Sequence, residues 1–142
     1  MKRAFLNLCC LALILFTSGC SKDEADNFPN VSVNLTIYPG TGSYHSLGAI
    51  GGSMNLTGGV NGLIIYRRSQ NEFMVFDRAC TYDPTNPCEK IELQDEGGFT
   101  AKDACCGSIF LLTTGEAWDG PAPYGLKRYN SYFDGVSLTI WN

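Results

Sequence analysis

The sequence predicts an all-β domain of many short strands, a sandwich or a small barrel, on three observations. Sixteen Gly and six Pro are interspersed with aromatic and β-branched residues, the composition of strands joined by tight turns. No stretch after residue 20 sustains a 3.6-residue apolar period, so little helix is expected. Apolar runs are short and are separated by turn signals such as Asp134-Gly135.

Taken in order, residues 31–38 alternate apolar and polar and read as a half-buried strand, which Pro39 and Gly40 break. Residues 48–62 are rich in glycine with only short apolar pieces such as 54–56, which is loop and edge-strand material. Residues 62–67 form a continuous apolar strand, and a turn at 69–71 leads into a second strand at 72–76, a β-hairpin. Two short strands at 90–93 and 98–102 flank a turn at 94–97, and 109–112 follows. The chain closes with a hairpin of 126–133 and 136–141 around Asp134-Gly135. Roughly nine short strands over ~110 residues favour a sandwich or small barrel.

At 142 residues the chain has the length of one domain, and 44% hydrophobic against 17% charged residues is a globular composition. The formal charge of −4 argues against a nucleic-acid footprint. A single His excludes any multi-histidine metal site, so a metal here would need thiolate or carboxylate ligands.

Lys2 and Arg3 precede an apolar run over 4–16, then Thr17, Ser18 and Gly19 ahead of Cys20. A basic start, a short apolar core and a small-residue end make a signal peptide. Its last residues resemble the lipobox of bacterial lipoproteins, which implies cleavage after residue 19 and lipid on the Cys20 sulfur. The expected organisation is a signal peptide at 1–19, a lipidated Cys and acidic tether at 20–29, and a β-domain at 30–142. Removing the signal leaves eight basic and fourteen acidic residues, a charge of −6. Lys22, Asp23 and Glu24 are similar to the export signal of surface-exposed lipoproteins, or form a plain solvating tether. The expected location is the cell envelope, anchored to the outer membrane on either its periplasmic or its surface face, where cysteines meet an oxidising compartment.

With Cys9 and Cys10 in the signal and Cys20 at the anchor, four cysteines remain in two inter-strand loops. Cys80 and Cys88 lie in the first, residues 77–88, and Cys105 and Cys106 in the second, residues 102–110. Four Cys allow three pairings, and the vicinal Cys105–Cys106 bridge has poor geometry. The loops and the text after them resemble the Rieske [2Fe–2S] family. Cys80 matches the first ligand, Gly107, Ser108 and Phe110 the tail of the second loop, and Gly115, Gly120, Pro121, Ala122, Leu126 and Tyr129 the closing segment. The likeness covers roughly residues 60–141. It implies stacked antiparallel sheets carrying two Cys-bearing loops.

The departures fall on the ligands. A Rieske centre takes two Cys on one iron and two His on the other. Here the first His position is Tyr82, the second Cys position Asp103 and the second His position Cys106; the one histidine, His45, is far upstream. A conventional Cys2His2 cluster is therefore impossible. The resemblance also implies a structural disulfide between the loops, Cys88–Cys105, leaving Cys80 near Cys106 at the former cluster position.

Three uses of these cysteines follow. Disulfides can staple loops that have lost their cluster, with no cofactor. Cys80, Cys88 and one of Cys105 and Cys106, with Asp103 or Tyr82, can hold zinc or an atypical 2Fe–2S cluster for electron transfer. A Cys80–Cys106 bridge can cycle by thiol exchange. The expectation adopted is the first: a non-enzymatic binding or structural module, with no catalytic residues. Its partners are the membrane, through the lipid, and a protein or glycan meeting an aromatic patch of Tyr82, Trp118 and Tyr124. His45 reads as a surface residue, and Glu116 and Asp119 as solvated carboxylates in a turn beside Trp118.

Overall fold

A computed structural model describes residues 28–95 and 98–142. The signal peptide, Cys20, the start of the tether and part of the turn at 94–97 lie outside the described residues. Among the described residues there are ten strands: β1 (Asn34–Ile37), β2 (Ser53–Leu56), β3 (Leu63–Arg67), β4 (Phe73–Asp77), β5 (Ile91–Leu93), β6 (Thr100–Asp103), β7 (Ile109–Leu111), β8 (Ala117–Asp119), β9 (Asn130–Phe133) and β10 (Leu138–Trp141). They form three antiparallel sheets, ordered β1-β10-β9, β2-β3-β4 and β5-β6-β7-β8. The fold is all-β with two Cys-bearing loops, as the sequence predicts.

The continuous apolar pattern of β3 and β4 puts their sheet in the middle. Alternate residues of a strand face opposite sides, so Leu63, Ile65, Phe73 and Val75 join Ile37, Leu138 and Ile140 in one core. Ile64, Tyr66, Met74 and Phe76 join Ile91, Ala101, Phe110 and Leu112 in a second. A hairpin apolar on both faces is stable only between two other layers. Phe76 and Phe110 are fully buried in the second core, each contributing about 2–3 kcal/mol by removal from water.

Four local expectations are corrected. A 3-10 segment spans Gly42–Gly48, interrupted at Tyr44, where glycine and serine text reads as loop; it buries Leu47. The strand at 31–38 shortens to β1, whose partner is β10. The run 126–133 serves two sheets: Asp77 N–H bonds to the Lys127 carbonyl and Tyr129 N–H to that of Val75, along β4, before β9 pairs with β10. Glu116 precedes a strand and Trp118 and Asp119 lie on it: β8 closes the third sheet as an edge strand exposed at every position, a pattern with no alternation to read.

Asp77 ends β4 fully buried and fully bonded. Its Oδ2 accepts from the Val60 N–H at 2.7 Å and the Tyr129 hydroxyl at 2.8 Å, and its Oδ1 from the N–H groups of Asn61 and Ala79 at 3.2 and 2.8 Å. Burial, then the Asp77 carboxylate, pushes the Tyr129 phenol above its ordinary pKa. Gly59 sits at φ +61°, and a Cβ there would run into the Asp77 carboxylate, so the approach of this loop requires glycine.

Candidate functional site

The two cysteine loops leave the same end of the second core. Beyond β4, the fully buried Ala79 bridges antiparallel to Lys90, and Cys80 N–H bonds to the Glu89 carbonyl at 3.0 Å. This pairing sets Glu89 beside Cys80. Between them, Asp83 Oδ1 accepts the Thr85 N–H and Asn86 Oδ1 the Cys88 N–H, two Asx turns that fold the insertion back on itself. From the other side, β6 ends at Asp103, opposite Ile91 in the β5 register. Asp103 Oδ1 accepts the N–H groups of Cys105 and Cys106 at 2.7 and 3.0 Å, shaping the second loop.

A disulfide joins Cys88 to Cys105, with Cα atoms 5.9 Å apart. Both cysteines are exposed, and their chain neighbours Glu89 and Cys106 are carried inward on either side of the bridge. Cys80 and Cys106 are free thiols, Cys80 buried and Cys106 half-buried, with sulfurs 3.6 Å apart. One donor atom each from Cys80, Glu89, Asp103 and Cys106 lies within 4.8 Å of every other. Glu89 Oε2 and Asp103 Oδ2 are buried without a hydrogen-bond partner.

Both sulfurs accept backbone N–H groups two residues on. The Ser108 N–H lies 3.5 Å from Cys106 Sγ, with the buried Ser108 hydroxyl at 3.1 Å. The Tyr82 N–H bonds to Cys80. Burial nevertheless pushes the Cys80 thiol far above its usual range, with the neighbouring Cys106 and Asp103 adding to the rise.

One alternative for the site is corrected. Cys88 does not join a centre, because its sulfur is spent in the disulfide. Tyr82 is 53% exposed, and its backbone N–H bonds to Cys80. Trp118 is exposed on β8, and Tyr124 adjoins the first loop, its carbonyl accepting the Thr81 hydroxyl at 2.6 Å. His45 lies exposed on the 3-10 segment, its Nδ1 3.3 Å from the Gly42 carbonyl.

Sequence reasoning missed Glu89. The signal was the period of two: Glu89 and Ile91 share a face and are both buried, while Lys90 and Glu92 point outward. Ala101 and Asp103 repeat this on β6.

The donors do not fit a Rieske cluster. No histidine is among them, and Cys80, Asp103 and Cys106 sit with a glutamate from outside the matched positions. A tetrahedral ion with ligand bonds of about 2.0–2.3 Å has ligand atoms roughly 3.3–3.8 Å apart, and the two sulfurs, 3.6 Å apart, fall in that range.

No protein-family model and no curated protein matches the chain. Among solved structures, a chain described as the small subunit of an NADH-dependent nitrite reductase from Mycobacterium tuberculosis is similar at 13% identity and a TM-score of 0.47, covering 80% of this chain and 97% of that one.

Proposed function

We propose that the chain is a lipid-anchored protein of the bacterial cell envelope whose Rieske-like β-domain acts as a non-enzymatic binding module. The signal peptide at 1–19 delivers it, Cys20 carries the lipid on the outer membrane, and residues after it form the tether. Among the described residues no helix is long and apolar enough to cross a membrane, and the lipid supplies the attachment. The observation that carries the reading is the Cys88–Cys105 bridge between the two loops. In this reading the loops that Rieske proteins devote to an iron–sulfur cluster are joined by a disulfide instead.

A cross-linked tip loses little conformational entropy when a partner docks, and exposed Tyr residues supply contact area at low entropic cost. Tyr82 and Tyr124 are 53% and 43% exposed on adjoining loops. The partner is a protein or glycan met through these rings.

Full-length protein purified in detergent without reductant tests the reading. Expected are a lipidated N-terminal Cys20 by mass, one disulfide, and no visible absorbance from iron and acid-labile sulfide. A photo-cross-linker at position 82 should give an envelope adduct that the same probe at Val136, exposed on the β9–β10 hairpin, does not. Stoichiometric iron with sulfide would replace this reading by electron transfer through an atypical cluster.

A further inference from the structure

The geometry points to a site for a single thiophilic divalent cation of the zinc class, held by the thiolates of Cys80 and Cys106 and the carboxylates of Asp103 and Glu89. Four donors of mixed sulfur and oxygen, drawn from two loops and mutually within 4.8 Å, are a complete tetrahedral set. Buried polar atoms are nearly always bonded, yet among the described residues Glu89 Oε2 and Asp103 Oδ2, on two members of this group, are buried without partners. A disulfide between Cys80 and Cys106 would leave both oxygens as they are. A cation answers both at once, and it offsets the repulsion of two acids packed together.

The surroundings fit the same assignment. Backbone N–H groups of Tyr82 and Ser108 point at the two sulfurs, and the Cys105 and Cys106 N–H groups hold Asp103 by its other oxygen. Such outer bonds orient ligands. Cys106 is half-buried, which leaves a way in for the ion. Loading is a displacement without electron transfer: two S–H protons leave to solvent as two metal–sulfur bonds form. The ion and the Cys88–Cys105 bridge then lock the same two loops. This site rests on side-chain placement and is independent of the partner reading.

Cobalt(II) titration of the intact, lipid-bearing chain, stripped with a chelator and kept anaerobic with its disulfide closed, tests it. Expected are one Co²⁺ per chain, sulfur-to-cobalt charge-transfer absorbance with tetrahedral d–d bands, bleaching by one equivalent of Zn²⁺, and protection of Cys106 from alkylation. Glu89→Gln and Asp103→Asn, which preserve shape, should each weaken Co²⁺ binding by roughly tenfold or more, and Cys106→Ser should weaken the charge-transfer band to what Cys80 alone supplies. The double variant Cys88→Ala/Cys105→Ala should still bind, since neither residue is a ligand. Cobalt bound without sulfur bands, a Cys106 thiol that stays reactive at saturation, or a Cys80–Cys106 disulfide in the protein as isolated would each overturn the assignment. In Glu89→Gln, unchanged affinity with native circular dichroism would remove the glutamate from the ligand set and with it the four-donor site. A failed cross-link at position 82 leaves all of these readings standing.

Discussion

Asp77 and Asp103 end strands of neighbouring sheets, and both are fully buried. Their surroundings differ in one respect. Around Asp77 four donors saturate both oxygens, and the carboxylate ties β4, the 59–61 loop and Tyr129 together. Around Asp103 two donors meet Oδ1 and none meets Oδ2, and one oxygen of this carboxylate lies within 4.8 Å of donor atoms of Glu89, Cys80 and Cys106. A buried charge with every lone pair met is a fold determinant; one with a lone pair left over is a site waiting for a ligand. The first region contributes to stability and the second draws on it.

Substitutions can break this contrast. Asp77→Ala should have the largest effect, lowering unfolding free energy in urea by about 4 kcal/mol, because three N–H groups and a hydroxyl lose their acceptor. Opening the Cys88–Cys105 bridge with paired Ser substitutions should cost about 3 kcal/mol for a crosslink spanning 17 residues, measured by the same titration, without disturbing the Asp77 region. Tyr129→Phe should cost about 1–2 kcal/mol by removing one donor to a charged acceptor. Burial and Asp77 raise the folded-state pKa of this phenol above its unfolded value. Its contribution is therefore complete below about pH 10 and is lost as pH rises further; unfolding curves from pH 8 to 11 should show an alkaline decline that the Phe variant lacks. Smallest is Asp103→Asn in metal-free protein, with the opposite sign. It keeps the Oδ1 acceptor, replaces the orphaned oxygen with a donor, and should raise stability by up to about 1 kcal/mol. A loss there comparable to Asp77→Ala would erase the contrast.

The parts of this fold legible in the sequence are those where pattern and burial coincide. Residues 62–67 and 72–76 are apolar at successive positions because both faces of their sheet are covered, and Asp134-Gly135 marks its hairpin because a tight turn needs those residues. Strand β8 was not legible, since an edge strand with both faces in water imposes no alternation. Nor was the 3-10 segment, whose Gly, Ser and Tyr text has loop composition. At the site, Cys80, Asp103 and Cys106 stood out through the family resemblance, whereas Glu89 lies on no matched position. Its inward direction comes from the pairing of Ala79 with Lys90, a long-range contact that a short charged stretch does not announce.

The Cys88–Cys105 bridge has a consequence for how the chain would come apart. Strands β5 and β6 both lie inside the loop it closes. A peptidase cutting between them would nick the backbone without releasing a fragment, since the two polypeptides would remain joined through sulfur and through the β5–β6 pairing. The damage would show only when the protein is reduced.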